Sequence, residues 1–291
     1  MAETLADRPR ELLVSGHVIV DRFLSVRSFP EADRTVPVLA SRTELGGTAT
    51  NIVRAAARVG VSVGLLACVG DGFPDEYFET FRRSGVDVRG LERFRGRPTP
   101  ACYILEDRTG GQRTLIDQGV MSDMREVPLP LRWLSEYSWV HLTTADPAFQ
   151  LRLQKAARAR GLRVAADPAQ EIHYRWDRRS FGKLLAGSEL LFGNRSEIAR
   201  ACEFMEVSRP TGLLAFVPLV VRTEGRNGAS AFSRTGSVHV PAAPHARVRT
   251  LVGAGDAFRG GFYAGWFAGQ PLAACLTAGT RSSARWIEGK R

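Results

Sequence analysis

The stretch from Thr250 to Phe267, TLVGAGDAFRGGFYAGWF, sets Gly253, Ala254 and Gly255 directly before a carboxylate, Asp256, and then runs into an apolar series (Ala257, Phe258, Phe262, Ala264, Trp266, Phe267). That pattern predicts a Gly-rich turn feeding the N-terminus of a buried helix. Unpaired backbone N–H groups at such a start carry the positive end of the helix dipole, and small side chains let an anion approach them. A carboxylate in the same place repels a bound phosphate, so its chemical use there is to take a proton from the group that attacks it. The stretch reads as phosphoryl-transfer machinery. An Asp favoured by the dipole after a tight turn is the plainer alternative.

A second glycine-rich start lies about 200 residues upstream: Gly46-Gly47-Thr48-Ala49-Thr50-Asn51, followed by Ile52, Val53, Ala55, Ala56, Ala57 and Val59 and stopped by Gly60. One start thus carries an amide and the other an acid. There is no GxxxxGK[ST], and Gly253, Gly255 and Phe258 do not complete GxGxxG, which disfavours a P-loop kinase and a nicotinamide dehydrogenase. The histidines (His17, His141, His173, His239, His245) show no metal spacing.

The elements that must position these groups alternate. Glu11 to Val20 is a β-branched run ending in Asp21, a first strand that delivers an acid at its end; Ser62 to Val69 is a second buried strand. From Trp139 onward, strand-length runs (139–142, 162–166, 189–192, 216–221) alternate with helix-length patterns, one of them begun by Asp146-Pro147. Two short strands (228–232, 237–240) lead to the helix of Asp256, and a helix over 272–287 closes the chain. This is an α/β pattern: one doubly wound, mostly parallel sheet covered by helices on both faces, in a single domain over 1–291. Short strand signals near 33–43, 86–93 and 101–117, the last with an Asp107-Arg108-Thr109-Gly110-Gly111 turn, predict a small sheet standing off the main one. In a doubly wound sheet ligands bind beyond the carboxyl ends of the strands, where loops distant in sequence meet.

Composition narrows the classes. Hydrophobic content of 44% and charged content of 24% are those of an average soluble protein. No apolar run approaches the ~18–20 residues that span a bilayer, and the opening MAETLADRPRELL has acids and no apolar leader core, so a cytoplasmic protein without a membrane partner is expected. The four cysteines are far apart and form no CxxC, which indicates neither a zinc site nor a disulfide framework. The net charge of +10 raises nucleic acid as a partner, but only Lys155, Lys183 and Lys290 are lysines and the arginines are spread rather than clustered with aromatics. No nucleic-acid partner is expected; a general attraction for anionic ligands is.

Gly46-Gly47 with Asn51, and Gly253-Ala254-Gly255-Asp256 with Ala257-Phe258, resemble the two signatures of the ribokinase-like (PfkB) sugar and nucleoside kinases. The similarity extends over nearly the whole chain through Asp21, Val69-Gly70-Asp71, Asp167-Pro168, Asn194-Arg195-Ser196-Glu197 as the family's NxxE, and Thr223-Glu224-Gly225 with Gly228 as its TxG loop. Gly16-His17 before Asp21, Phe29-Pro30, Thr144-Ala145-Asp146-Pro147 and Asp256-Ala257-Phe258-Arg259 look most like the archaeal-type nucleoside kinases.

The resemblance implies an ATP- and Mg²⁺-dependent kinase that phosphorylates a primary hydroxyl of a nucleoside, with a ribose- or fructose-type sugar kinase as the alternative. A non-catalytic nucleoside- or nucleotide-binding protein on the same fold is a further alternative. In this reading Asp256 is the general base and the amides of Gly253, Ala254 and Gly255 hold the developing charge. Asp21, Gly46, Gly47, Asn51 and His17 hold the acceptor; Thr223, Gly225, Gly228 and Asn194 contact ATP; Asn194 and Glu197 organise Mg²⁺, largely through water. An N-cap with an acid in the first helical turn would account for Asn194 and Glu197 equally well. The small sheet becomes a lid over the acceptor, through which a homodimer can form. One departure stands out: the family commonly has Asp-Thr before GAGD, where this chain has Thr250-Leu251 and then Val252. A neutral Thr250 cannot supply the charge that helps bind a monovalent cation in relatives, so weak or absent K⁺ activation is expected. The chain closes soon after its last helix, so a short C-terminal contribution to the nucleotide pocket is expected.

Overall fold

A computed structural model describes residues 10–129 and 131–289. The reading of residues 1–9 made above, and the two closing residues, lie outside that range. The strands are β1 (Arg10–Ser15), β2 (Ile19–Ser25), β3 (Ala40–Gly46), β4 (Val63–Asp71), β5 (Asp87–Pro98), β6 (Ala101–Glu106), β7 (Gln112–Asp117), β8 (Tyr137–Leu142), β9 (Arg163–Ala166), β10 (Leu190–Asn194), β11 (Leu219–Thr223), β12 (Ala229–Ser233) and β13 (Gly236–Val240). The helices are α1 (Thr48–Arg58), α2 (Asp75–Arg83), α3 (Leu131–Leu134), α4 (Pro147–Arg158), α5 (Arg178–Ala186), α6 (Arg195–Phe204), α7 (Ala254–Phe267) and α8 (Leu272–Ile287).

Nine strands form the main sheet in the order β13-β12-β11-β10-β9-β8-β1-β4-β5. Pairing is parallel from β5 to β11, and β12 and β13 add an antiparallel edge. Adjacent residues of one strand serve opposite faces: Leu12 and Val14 join the core under α1, α7 and α8, while Leu13 joins the core under α4, α5 and α6. Phe149, Phe181, Phe192 and Phe262 are fully buried in these two layers, each a residue whose truncation costs about 3–5 kcal/mol. Helix starts carry their own signals, since Asp146 accepts from the Phe149 N–H and Asp177 forms a capping box with Ser180.

The small sheet is real, but three segments differ from the sequence expectation. Its order is β3-β2-β6-β7. The β-branched run 11–20 is two strands in different sheets, because Gly16 passes so close to Thr143 that a Cβ there would lie 2.3 Å from its Cγ2. The chain leaves the main sheet at that point, so Asp21 belongs to lid strand β2 rather than to the end of β1. Residues 86–93 are not lid: Val86 and Leu91 are buried in the main core, and β5 returns from α2 to pair in parallel with β4. Of segment 33–43 only residues 40–43 are strand, and β3 runs on to Gly46. The 101–117 hairpin forms as expected, with the Asp107 carboxylate accepting from the N–H groups of Thr109 and Gly111 in its turn. Among the described residues no helix is long and apolar enough to cross a membrane.

Candidate active site

Most of the sequence candidates gather at the carboxyl edge of the parallel strands. Ser15 precedes the His17 loop, Leu142 precedes Thr143–Asp146, Ala166 precedes Asp167, Asn194 ends β10 and Thr223 ends β11. Asn194 and Thr223 are direct partners in the β10–β11 register.

Around the residues expected to hold the acceptor, β2 and β3 align Ile19 with Gly46 and Asp21 with Glu44. Gly46 is required by crowding, since a Cβ there would sit 1.9 Å from Asp21 Oδ2. Gly47 caps α1 at φ 100, with the His17 carbonyl 2.3 Å from where its Cβ would be. His17 meets this loop through its backbone; its ring is buried and faces Glu171, with Nε2 3.7 Å from Oε1. Burial, reinforced by the Arg175 charge, drops its pKa to about 3, so the ring is neutral. Its carbonyl, and not its ring, borders the Gly46–Gly47 turn.

The two glycine-rich helix starts meet. Asn51 Nδ2 donates to Asp256 Oδ2 at 2.9 Å. The helices can close to this distance because small residues line their seam: a Cβ on Gly260 would lie 2.6 Å from the Ala56 nitrogen. Gly253 caps α7 in the left-handed region at φ 80, and a Cβ on it would stand 2.9 Å from both Asn51 Nδ2 and Trp286 Nε1. Trp286, from α8, holds this turn by donating to the Val252 carbonyl at 2.8 Å. The pKa of Asp256 is raised to about 6, chiefly by desolvation, with Asp167 and Glu197 adding to the rise and Arg259 and the Asn51 hydrogen bond opposing it. A carboxylate tuned this way is ionised at neutral pH yet basic enough to accept a proton, as a general base should be.

The end of β11 and the turn after it carry Thr223, Gly225 and Gly228, the residues expected to contact ATP. Gly225 (φ 60) and Gly228 (φ 92) shape the turn, and the Glu224 N–H bonds the Gly228 carbonyl at 2.8 Å. Sequence reading assigned nothing to Glu224, whose carboxylate is nearly buried. It accepts from Arg195 at 2.8 Å, Arg222 at 2.9 Å and Ser230 at 2.6 Å, tying the start of α6 to this turn. Burial pushes its pKa up, but these donors win and lower it to about 2.

Asn194 and Glu197 form a capping box: Asn194 Oδ1 accepts from the Glu197 N–H at 3.0 Å and Glu197 Oε2 from the Asn194 N–H at 2.7 Å. These bonds engage Asn194 Oδ1 and Glu197 Oε2. Among the described residues no three His, Cys, Asp or Glu side chains cluster as a metal cage. One neutral amide and one carboxylate, each tied to the backbone, fit Mg²⁺ as outer contacts through water.

Behind Asp256 lies a polar chain to which sequence reading gave no role. Arg259 binds Asp167 through Nε and, at 2.8 Å, through Nη2; His141 joins Asp167 at 3.1 Å and Tyr263 at 2.8 Å. Burial alone would raise the Asp167 pKa, yet the Arg259 charge and the hydrogen bonds hold it far below the usual range. The only cue in the sequence was Asp167-Pro168 and Arg259 within the resemblance, since residues 92 positions apart leave no local pattern.

This geometry agrees with comparisons to known proteins. The model of the "pfkB family carbohydrate kinase" matches residues 9–290. A nucleoside kinase from Methanothermobacter thermautotrophicus is 30% identical over 268 residues, covering 91% of this chain and 85% of the relative. An ATP-dependent ribose-1-phosphate kinase from Halopiger xanaduensis is 32% identical over 259 residues, with 88% and 84% covered. The solved Methanocaldococcus jannaschii nucleoside kinase, an archaeal member of the ribokinase family, superposes with a TM-score of 0.90 at 25% identity, covering 97% of this chain and 93% of that one. With the two glycine-rich helix starts joined at Asn51 and Asp256 and the family model spanning nearly the whole chain, this protein belongs to the pfkB family of carbohydrate kinases.

Proposed function

We propose that this protein is an ATP-dependent kinase that transfers the γ-phosphoryl group to a primary hydroxyl of a nucleoside. The observation that carries the reading is the Asn51–Asp256 contact at the mouths of two facing helix starts. Asp256 takes the hydroxyl proton as the oxygen attacks phosphorus, and the N–H groups of the Gly253–Gly255 turn receive charge developing on the phosphoryl oxygens. Asp21, Gly46, Gly47 and Asn51 hold the acceptor hydroxyls, while Thr223, Gly225, Gly228 and Asn194 face the nucleotide phosphates. Mg²⁺, when bound with the nucleotide, neutralises phosphate charge, and Glu197 touches it through water.

The nucleoside class is supported by the relatives named nucleoside kinase, together with a Thermococcus kodakarensis cytidine kinase at 28% identity. The ribose-1-phosphate kinase relative supports a second reading, a sugar or sugar phosphate as acceptor. A coupled ADP-release screen of ribonucleosides, ribose, fructose and ribose 1-phosphate with ATP and Mg²⁺ separates them: turnover confined to sugars would overturn the nucleoside reading. The exposed Leu115 and Ile116 of lid strand β7 suit pairing with a second copy, which light scattering across a concentration series tests.

A further inference from the structure

Arg259 is 4% exposed and stands one turn after Gly255 in α7. Its Nη1 donates to the Gly255 carbonyl at 2.9 Å, its Nε and Nη2 grip Asp167, and its Nη2 lies 4.0 Å from Glu197. Asp167 is held from behind by His141, and His141 by the Tyr263 hydroxyl. One guanidinium thus stands among three carboxylates, Asp167, Glu197 and Asp256, whose charges all act on it.

Stability is a poor reason for such a network, because replacing a buried ion pair by well-packed apolar side chains is often neutral or favourable. Its position is more telling. A fixed positive charge lies against the Gly255 carbonyl, one turn into α7, and adds to the helix dipole at the Gly253–Asp256 turn. The bond to the Gly255 carbonyl also polarises the peptide whose N–H belongs to Asp256. Asp167 keeps the guanidinium from turning away.

We propose that Arg259 is a positioning residue for phosphoryl transfer. Through the Gly255 carbonyl it holds the Gly255–Asp256 peptide in place and strengthens the field at the anion turn, with Asp167, His141 and Tyr263 fixing its own orientation. The proposal rests on the kinase reading of the site. In the step it serves, the acceptor oxygen bonds to the γ-phosphorus as its proton passes to Asp256. The bond from that phosphorus to the bridging oxygen breaks, and its electron pair leaves with ADP. Arg259 gives and takes no proton.

The test compares wild type, Arg259→Ala, Arg259→Lys, Asp167→Asn and the Arg259→Ala, Asp167→Asn double variant, as full chains, for ADP release with ATP, Mg²⁺ and a mixture of the four ribonucleosides. Arg259→Ala is expected to lose roughly 30- to 100-fold in kcat, with KM for ATP and nucleosides within about threefold, less than the ~10²–10³ that a direct anion-hole donor is worth because Arg259 acts through the Gly255 peptide. Guanidinium chloride, but not NaCl at equal ionic strength, restores at least about tenfold of that loss, and the lysine variant falls between. Asp167→Asn, which keeps side-chain volume, loses about tenfold alone and adds little to Arg259→Ala. An Arg259→Ala kcat within about threefold of wild type, or a loss in KM alone, overturns the proposal. If circular dichroism shows that Arg259→Ala does not fold, Asp167→Asn decides, and a kcat within about twofold of wild type overturns it. Absence of ADP release by the wild type instead sinks the kinase reading, and this proposal with it.

Discussion

Asn51 Nδ2 donates to Asp256 Oδ2 across 2.9 Å although 205 residues separate the two in the chain. The amide ends the first turn of α1 and the acid the first turn of α7, so each stands where its own helix dipole is most positive. The contact steadies the carboxylate without neutralising it. That is the arrangement wanted of a base that must stay ionised until a hydroxyl arrives.

Asp256→Asn is expected to lower kcat by at least about 10²-fold while leaving nucleotide affinity within a few-fold, since an amide keeps the shape and cannot take the proton. Steady-state kinetics paired with calorimetric ADP titration checks this. Near-normal turnover would remove Asp256 from the role of base.

Activity should fall on acidification through about pH 6, where burial has placed the Asp256 carboxyl. The sign follows from the role: the ionised form is the active one, so activity is present above that pKa and lost below it. Asn51 holds the pKa down through its hydrogen bond, so Asn51→Leu should move the acid limb of the kcat profile to higher pH. A limb that stays put or moves lower contradicts the assignment.

Gly253→Ala places a Cβ at φ 80 and 2.9 Å from Asn51 Nδ2 and Trp286 Nε1. Destabilisation of about 1–3 kcal/mol is expected from the backbone region, with a larger loss of activity because the anion turn and Asn51 are displaced together. Thermal melts and kinetics on the same preparation separate the two effects. Gly225→Ala, whose Cβ would meet nothing within 4 Å, should show the strain without the loss of the turn around Asp256.

Thr250 spends its hydroxyl on the Val252 N–H at 3.2 Å and carries no charge before the anion turn. Exchange of Na⁺ for K⁺ should therefore change turnover by less than about twofold, there being no fixed charge to pair with the cation. A several-fold increase with K⁺ would show that other groups build a cation site there.

Sequence alone determined the doubly wound architecture, the two glycine-rich starts and the acid at the second of them. Each of these is a local matter: alternation of apolar runs, small residues before a helix, an acid at a helix start. Tertiary structure decided the rest. A β-branched run long enough for one strand was split between two sheets because the chain at Gly16 passes against Thr143, and that moved Asp21 into the lid. Residues 86–93 went to the main sheet because Val86 and Leu91 found a core to bury against, which no local pattern could tell from a lid strand. His17 was turned inward to Glu171, and Arg259 was set beneath Asp256 by a carboxylate 92 residues away. Contacts of that kind depend on which loops the sheet order brings to one edge, and pairing across such distances leaves no periodic trace in the chain.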